Sequence, residues 1–485
     1  MLSEAPAVAE FYGSFIGGEE ASASTASTFQ TFDPATGLPL TTIQRGAQAD
    51  VDAAVANAQE AFPAWRDLPG FERGRILLAI SRKILENKDR LVELESRDNG
   101  KSYMDAGFDV ITAARYFEYY AGVADKLGGE TIPIGATHVS YTRPEPYGVT
   151  AHIVPWNAAF QQAARGVAPA LAAGNVAVVK PAEDTSITTV VLAKLAIEAG
   201  LPAGVFNVVT GLGREAGAAL VKHPGVSRIT FTGSVPTGQE IMRSAAENLN
   251  PVTLELGGKG PNIIFEDADL SAAIPGSLMA ININAGQVCA AGSRLLVHSS
   301  IHDQVVEKLV TMNAGVKLGA GWTGAQMGPI TTAAQFKKVQ EYLEIGKNEG
   351  AIVAVGGSAA TGDGVDGGQF IQPTIFTGVK NSMRIAQEEI FGPVLSVIVF
   401  DTEDEAVAIA NDTPYGLTAG MWTQNLGRAH RVAAQIEAGQ VSVNDYFAGG
   451  VQAPFGGYKA SGIGREKGMS AIHEYLQTKA VSIKL

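Results

Sequence analysis

Cys289 is the residue in this chain with the most evident capacity for covalent chemistry. It is the only cysteine among 485 residues, and it lies in the small-residue stretch 285–292, Ala-Gly-Gln-Val-Cys-Ala-Ala-Gly. A thiolate is a strong nucleophile, and small neighbours leave room for a second molecule to approach the sulfur. Many lone cysteines are only small buried hydrophobic residues, so a catalytic interpretation needs partners elsewhere in the chain.

Two residues that could assist a thiol follow apolar runs typical of buried β-strands. Glu255 ends the run at 252–256, and Asn157 follows the run at 149–154. A carboxylate in an apolar cleft has a raised pKa and can act as a general base near neutral pH. An asparagine amide can donate to a developing oxyanion, with the backbone N–H of Cys289 as the second donor. Alone, either residue could equally be an ordinary turn residue.

A third apolar run, at 176–179, is followed directly by Lys180 and Glu183. At the end of a strand, this pair could bind the ribose of a dinucleotide, with the carboxylate accepting from two adjacent hydroxyls. The same carboxylate would repel a 2′-phosphate, which favours NAD over NADP as the cofactor.

Two glycine-rich turns are candidates for the pyrophosphate. The first contains Gly211, Gly213 and Gly217, with a spacing that departs from the usual dinucleotide fingerprint. The second is Phe-Thr-Gly-Ser at 231–234, between a predicted strand and a predicted helix. We favour the second, because free N–H groups at a helix start bind phosphate.

The histidines indicate no metal site. His298 and His302 are four residues apart, but a predicted junction between a strand and a helix separates them, and the chain has no Cys/His cluster.

The elements that must position these residues alternate between short apolar runs and helical segments. The predicted strands of a first set are 149–154, 176–179, 205–209, 227–231 and 252–256, with helices at 185–199 and 237–247. The second set has predicted strands at 294–297, 394–400, 418–422 and 440–443. Helical spacing also recurs at 47–65 and 72–98. This alternation predicts an α/β fold with parallel sheets covered on both faces.

Three further segments are of other kinds. Residues 350–368 are glycine-rich and predict a loop or hairpin, and the Ser/Ala/Thr-rich patch 21–28 predicts a surface loop. Segments 129–143 and 478–485 alternate apolar and polar residues. They suggest a small hairpin paired with a terminal strand, with a pairing across subunits as one arrangement.

Size and composition restrict the class of protein. A chain of this length requires two or three domains. The formal net charge of −13 argues against nucleic-acid or anionic-membrane partners. No apolar run reaches membrane-spanning length, and residues 1–18 lack the pattern of a signal peptide. With one cysteine and no internal disulfide, we expect a cytoplasmic protein.

Together, these pieces resemble the aldehyde dehydrogenase superfamily over nearly the whole chain. Seven family motifs occur in the family's order: Pro155-Trp156-Asn157, Lys180-Pro181-Ala182-Glu183, Phe231-Thr232-Gly233-Ser234, Glu255-Leu256-Gly257-Gly258-Lys259, Gly286-Gln287-Val288-Cys289, Glu389-Ile390-Phe391-Gly392-Pro393 and Pro454-Phe455-Gly456-Gly457-Tyr458-Lys459.

The resemblance implies a role for each candidate residue. Cys289 would attack the aldehyde to form a thiohemiacetal, Asn157 would hold the oxyanion, hydride would pass to NAD, and Glu255 would activate the water that hydrolyses the thioester. Lys180 and Glu183 would bind the adenosine ribose. The remaining cofactor residues would be Trp156, Gly213, Gly217, Phe231, Gly233, Ser234, Leu256, Glu389 and Phe391, with Ser234 at the pyrophosphate and the last two at the nicotinamide ribose and ring.

The resemblance also implies a domain organisation. A Rossmann-like NAD-binding domain would comprise residues 1–124 and 145–257, and an α/β catalytic domain residues 258–467. A small β oligomerisation unit, 125–144 with 468–485, would build a homodimer or homotetramer.

One departure from the family bears on the substrate. The family often follows Trp-Asn with a large apolar residue and proline, but here Ala158 and Ala159 occupy these positions. Gln161, Gln162 and Arg165 then share one face of a predicted helix. Such side chains suit a phenol or a carboxylate better than a long alkyl chain.

The alanine and arginine of this segment resemble those of aromatic aldehyde dehydrogenases such as the salicylaldehyde and vanillin dehydrogenases. An aromatic aldehyde is therefore the leading hypothesis, with Tyr446 and Phe447 as aromatic walls of the substrate site. A semialdehyde with a carboxylate, such as succinate semialdehyde, is the alternative. Arg165 could instead form a salt bridge within the domain or at a subunit interface.

Three rival functions make different demands on the sequence. A cysteine hydrolase normally pairs its thiol with a histidine, and no histidine here has a recognisable catalytic context. A CoA-acylating relative typically lacks the base glutamate. A catalytically silent binding relative would have lost Cys289 or Glu255, and both are present.

Overall fold

The computed structural model describes residues 8–22 and 27–485, so part of the patch at 21–28 lies outside the described residues. The strands are β1 (Phe11–Tyr12), β2 (Phe15–Ile16), β3 (Glu19–Glu20), β4 (Thr28–Phe32), β5 (Pro39–Gln44), β6 (Thr131–Ile132), β7 (His138–Pro146), β8 (Val149–Ile153), β9 (Val176–Lys180), β10 (Phe206–Val208), β11 (Arg228–Thr232), β12 (Val252–Glu255), β13 (Pro261–Ile264), β14 (Arg294–His298), β15 (Ile352–Val355), β16 (Thr374–Thr377), β17 (Val394–Phe400), β18 (Tyr415–Gly416), β19 (Thr418–Trp422), β20 (Gln440–Val443), β21 (Tyr458–Lys459), β22 (Gly462–Ile463) and β23 (Leu476–Lys484).

The α-helices are α1 (Gln48–Asp67), α2 (Gly70–Glu86), α3 (Lys88–Asn99), α4 (Tyr103–Ala121), α5 (Ala159–Ala172), α6 (Ile187–Glu198), α7 (Ala218–Lys222), α8 (Val235–Glu247), α9 (Leu270–Asn282), α10 (His302–Ala314), α11 (Ala333–Asn348), α12 (Arg384–Gln387), α13 (Glu403–Asn411), α14 (Leu426–Gln435) and α15 (Gly468–Glu474). No helix among the described residues combines the length and the apolar character that a membrane crossing requires.

The first large sheet has the strand order β22-β12-β11-β8-β9-β10-β2-β3, and its five central strands are parallel. From β8 the chain proceeds through β9 and β10 in one direction, then returns to add β11 and β12 on the other side. The strand order therefore reverses between β8 and β11, and ligands of open α/β sheets bind at such a point, outside the carboxyl ends of the strands.

The second large sheet has the order β15-β16-β17-β14-β13-β19-β20 and is parallel except for β15. Its strands are buried on both faces. In β14, Leu296 packs into one hydrophobic cluster, while Leu295 and Val297 pack into the cluster on the opposite face. The α/β architecture expected from the alternation of strands and helices is confirmed.

The small third sheet has the order β23-β7-β6. Strand β23 pairs antiparallel with β7 along nine residues, from Leu476 opposite Pro146 to Lys484 opposite His138. The hairpin and the terminal strand were both expected, and within the chain they pair with each other.

The structure departs from the predicted elements in several places. The helical segment at 72–98 is two helices, because the backbone leaves the helical conformation at Asn87. Helix α4 and strands β13 and β16 were not predicted, and the segment 350–368 contributes a strand, β15. Strand β13 is four buried residues that begin with Pro261, too short for a periodicity to be visible.

Candidate active site

The predicted chemical residues converge where β8, β11 and β12 end. A cleft of about 150 Å³ opens there. Its walls include the following predicted site residues: Trp156, Asn157, Gly233, Ser234, Glu255, Leu256, Cys289, Glu389 and Phe391. They come from five separate segments of the chain, so only the fold brings them together.

The loop that carries Cys289 has an unusual backbone. Three consecutive residues, Asn284, Ala285 and Gly286, have left-handed φ values of 48°, 52° and 72°. For the first two this conformation costs free energy and needs support from neighbours. The backbone N–H of Asn284 donates to Asp105 Oδ2 at 3.1 Å, and the Asn284 side chain donates to the main-chain oxygen of Asn157 at 2.9 Å. The turn is therefore held by contacts outside its own segment.

Asn157 is joined to the cysteine loop. Its Nδ2 donates to the carbonyl oxygen of Gln287 at 2.8 Å, two residues before Cys289. The side-chain amide carries two hydrogens, so one remains for a ligand. This hydrogen bond sets the orientation of the amide relative to the cysteine.

The environment of Cys289 disfavours its ionised form. Burial raises the pKa of the thiol to about 12, while the charge of Arg165 acts in the opposite direction. A negative charge on Glu255 or Glu389 would raise this pKa further. Without a ligand the sulfur is therefore a thiol at neutral pH, and a nearby positive charge promotes the thiolate.

Glu255 is buried at the end of β12, and neither of its carboxyl oxygens has a hydrogen-bond partner in the described part of the chain. Burial raises its pKa well above the ordinary value, and the nearby charge of Glu466 acts in the same direction. Glycine fits at position 456, where a Cβ would lie 2.7 Å from the carbonyl oxygen of Gly464 and 2.9 Å from Glu255 Oε1. A buried carboxyl group with a raised pKa has the properties of a general base.

Arg165 does not project into the open cleft. It is 5% exposed on α5, and its guanidinium is ion-paired with Glu466, which is 6% exposed. Its Cζ lies 5.2 Å from the ring centre of Phe455, and the Phe455 ring packs in a small apolar cluster with Ala290 and the cysteine. Arg165 thus lies behind an aromatic ring that borders Cys289.

Lys180 and Glu183, which the sequence predicts to bind a ribose, contact each other. Lys180 Nζ lies 3.1 Å from Glu183 Oε2, and the same oxygen accepts a hydrogen bond from the backbone N–H of Gly213 at 3.2 Å. A Cβ at Gly217 would lie 3.8 Å from Lys180 Cδ. The first glycine-rich turn therefore lies beside the ribose pair, and only the second turn, at 231–234, borders the cleft.

That second turn leads into α8. Ser234 caps this 13-residue helix by accepting a hydrogen bond from the backbone N–H of Thr237. The glycine at 233 is needed because a side chain there would collide with the ring of Phe231. The start of α8 thus offers the free N–H groups that a pyrophosphate requires.

Glu389 and Phe391 form the opposite wall. Glu389 accepts a hydrogen bond from the backbone N–H of Gly258 at 3.1 Å, and burial raises its pKa. The ring of Phe391 meets that of Trp156 edge to face at 5.3 Å between centres. Phe391 has a φ of 60°, and Gln335 supports this turn by donating to its carbonyl oxygen at 2.9 Å.

Several lining residues were not identified from the sequence, namely Pro155, Thr232, Gly257, Gln335 and Lys338. The first three lie inside the motifs quoted above, although no role was assigned to them. Gln335 and Lys338 lie on the amphipathic surface of α11, where the spacing of residue types carries no signal.

The other predicted substrate residues differ in position. Tyr446 is 3% exposed, and its ring fills the space beside Gly292 and Gly420, so it supports the cysteine loop from behind. Phe447 meets Tyr446 edge to face at 4.8 Å and packs in the cluster that contains Cys289. On α5, Gln162 is buried and Gln161 is half-buried. Tyr446 is therefore a support and not an exposed aromatic wall.

Comparison with known proteins agrees with this geometry. The profile described as the aldehyde dehydrogenase family matches residues 21–481. A hydroxyisobutyraldehyde dehydrogenase of Mycolicibacterium austroafricanum is 44% identical over 97% of this chain and 93% of its own length. The NAD⁺ complex of an aldehyde dehydrogenase from Bacillus cereus superposes with a TM-score of 0.96, at 45% identity over 98% and 97% of the two chains. A betaine aldehyde dehydrogenase from Staphylococcus aureus in complex with NAD⁺ gives a TM-score of 0.95, at 40% identity over 97% and 94%. The chain therefore belongs to the aldehyde dehydrogenase family and is an NAD(P)-dependent oxidoreductase that acts on aldehydes.

Proposed function

We propose that this enzyme oxidises a hydroxylated aromatic aldehyde to the carboxylic acid through a thioester on Cys289. The observation that carries the chemistry is the meeting, in one cleft, of Cys289, the amide of Asn157 and the buried carboxyl group of Glu255. The observation that supports the aromatic substrate is the Phe455 ring beside the cysteine, with the Arg165 guanidinium behind it.

The residues around the cleft fit NAD. The Lys180 and Glu183 pair offers a cation and a carboxylate at the ribose position, and the start of α8 offers backbone N–H groups. Glu389 and Phe391 face Trp156 across the other end of the cleft. When bound, NAD supplies the acceptor for the hydride of the thiohemiacetal.

The chain's own residues perform the remaining steps. The Cys289 thiol gives up its proton to water in the cleft, and its sulfur adds to the carbonyl carbon as the C=O π bond opens. The negative charge that forms on oxygen is held by Asn157 Nδ2 and the backbone N–H of Cys289. After hydride loss, the carbonyl carbon is bound to sulfur as a thioester. Glu255 then takes a proton from a water molecule, whose oxygen attacks this carbon and expels the thiolate.

The charge around Arg165 favours a neutral hydroxyl over a carboxylate on the substrate. Glu466 already neutralises the guanidinium, and Glu255 lies near both. A carboxylate-bearing semialdehyde would bring another negative charge toward two acidic side chains, whereas a phenol is neutral and brings none. The hydroxyl group in the name of the relative from M. austroafricanum agrees with this preference.

An aldehyde panel measured with NAD and NADP tests the proposal. We expect the kcat/KM for 4-hydroxybenzaldehyde to exceed that for hexanal and for succinate semialdehyde by at least about tenfold, equivalent to about 1.4 kcal/mol. Acid should form in equal amount to NADH without CoA, which excludes the acylating and hydrolase alternatives. A preference for succinate semialdehyde would overturn the aromatic assignment and establish the alternative.

We also propose the finer organisation predicted from the sequence. The divided NAD-binding unit contains the first large sheet except β22, the catalytic unit 258–467 contains the second large sheet, and residues 125–144 with 468–485 contain most of the small one. Residues of the small sheet such as Val139 and Ile483 are 41% and 48% exposed, which supports a contact between subunits in a homodimer or homotetramer. The lone free thiol supports a cytoplasmic location.

A further inference from the structure

Lys101 is a fully buried lysine that no step of the proposed chemistry uses. It lies in the short connection between α3 and α4 and is 2% exposed. Its Nζ donates to Glu95 Oε1 at 3.2 Å, to Asp109 Oδ2 at 2.5 Å and to the main-chain oxygen of Asn157 at 2.9 Å. All three hydrogens of the ammonium group are therefore used.

Two of these three contacts explain how the charge can be buried. Glu95 and Asp109 surround the ammonium group, and Glu95 also accepts a hydrogen bond from Thr188 at 2.7 Å. A buried charge needs such partners. The third contact, to the main-chain oxygen of Asn157, is not required for charge balance. Asn157 is the residue whose side chain would be the oxyanion donor.

The main-chain oxygen of Asn157 is held from two sides. Lys101 donates from the connection between α3 and α4, and the Asn284 side chain donates from the cysteine loop. The preceding residue is held from the end of α3, where Asn99 Nδ2 donates to the carbonyl oxygen of Trp156 at 2.8 Å. The backbone on both sides of the Asn157 Cα is thereby fixed.

Asp105, at the start of α4, supports the cysteine loop. It accepts the hydrogen bond of the backbone N–H of Asn284, at the first left-handed residue of the cysteine loop. Residues 99–105 thus support both groups that would bind the oxyanion, the Asn157 amide and the loop that presents the N–H of Cys289. Oxyanion donors act only when their positions are held before the reaction begins.

We propose that Lys101 is a positioning residue for the oxyanion donor. By binding the main-chain oxygen of Asn157, it fixes the direction in which the Asn157 amide faces the reacting carbonyl. This inference rests on the proposed function, because it assigns the oxyanion to Asn157.

The test is a double-mutant cycle between Lys101 and Asn157 in the full-length enzyme, read by the single-turnover rate of NADH formation. We expect Asn157→Ala to slow this rate about 10²- to 10³-fold. Lys101→Met should slow it about 10- to 100-fold, because a displacement of about 1 Å can have an effect of that size. In the Asn157→Ala background, Lys101→Met should slow this rate by less than about threefold, since the donor that Lys101 positions is already absent.

Two further variants separate positioning from folding. Lys101→Met leaves two buried carboxylates unpaired, so the triple variant Lys101→Met, Glu95→Gln, Asp109→Asn removes that charge problem while the support of Asn157 stays absent. Thr188→Val is the matched control, because it removes a hydrogen bond of the same network that does not touch Asn157. We expect the triple variant to be slow and the control to retain the wild-type rate within about twofold. The dissociation constant for NAD, from quenching of protein fluorescence, should be unchanged in both.

Each outcome has a distinct meaning. An equal loss from Lys101→Met in both backgrounds would show a general structural effect and overturn the positioning role, while the function of Asn157 would stand. A triple variant with the wild-type rate would also overturn it. If Asn157→Ala alone kept the wild-type rate, the oxyanion assignment itself would fail, and the role of Lys101 with it.

Discussion

Replacing Arg165 by methionine should destabilise the protein strongly. Arg165 and Glu466 are both more than nine-tenths buried, so water cannot screen their interaction or solvate Glu466 after the change. Removing one partner of a buried ion pair leaves an uncompensated charge and typically costs about 3–5 kcal/mol. The packing of the guanidinium against Phe455 is partly kept by the methionine side chain.

This magnitude is measurable by thermal unfolding. For a domain of 150–250 residues, each kcal/mol lowers the midpoint by about 2–4 °C, so we expect a decrease of about 6–20 °C. The second change Glu466→Gln, made together with Arg165→Met, removes the orphaned charge. The double variant should recover most of the lost stability, because replacing both partners of a buried pair is often close to neutral. Differential scanning fluorimetry of the three proteins completes the experiment.

Two results would contradict the argument about Arg165, and they concern different parts of it. A decrease of less than about 2 °C in the single variant would refute the buried ion pair. Separately, an unchanged ratio of kcat/KM between 4-hydroxybenzaldehyde and hexanal in the double variant would refute a role of Arg165 in substrate choice. In that case the ion pair would be purely structural.

Three further predictions follow from the site. Glu255→Gln should slow the steady-state rate about 10²- to 10⁴-fold while a first burst of NADH remains, because the variant can form the thioester but cannot activate water. Rapid-mixing kinetics measures the burst, and its loss would contradict the prediction. Glu183→Ser should raise kcat/KM for NADP by at least about tenfold by removing the charge that repels the 2′-phosphate; unchanged discrimination between the two cofactors would refute the ribose assignment. Burial raises the pKa of Cys289 to about 12. The rate at which iodoacetamide alkylates the ligand-free enzyme should therefore rise about tenfold per pH unit from pH 7 to 9. Cys289→Ala is the control, and a plateau of the rate near pH 8 would contradict the raised pKa.

The positions of the site residues along the chain were largely predictable. Asn157, Lys180 and Glu255 each come at or just after a run of Val, Ile and Leu, and the structure places these runs as parallel strands of one sheet. Because parallel strands end at the same edge, the order of such runs was enough to place the three residues at one edge of the sheet. The same local signal identified the turn at 231–234.

The contacts between these residues were not predictable in the same way. Arg165 pairs with Glu466, and Lys101 binds Asn157, across large separations in the sequence. Neither Lys101 nor Glu466 belongs to a periodic pattern, and a buried lysine cannot be told from an exposed one by its neighbours alone. The alternatives for Arg165 stayed open for this reason, and the structure shows that the salt bridge within the chain exists.

The charges in the cleft also suggest an order of events. A negative charge on Glu255 raises the pKa of Cys289, and because electrostatic interaction is mutual, a thiolate makes Glu255 harder to ionise. The nucleophile and the base are therefore not both anionic at low cost in the ligand-free site. Once the sulfur is bonded to carbon in the thioester it can no longer ionise, so a thiolate no longer opposes the ionisation of Glu255 when the base is needed. Glu255 has no hydrogen-bond partner in the described part of the chain that would stabilise its ionised form, so its ionisation depends on the state of the sulfur. Activation of the base would therefore follow formation of the thioester, and water would be activated after the hydride has left and not before.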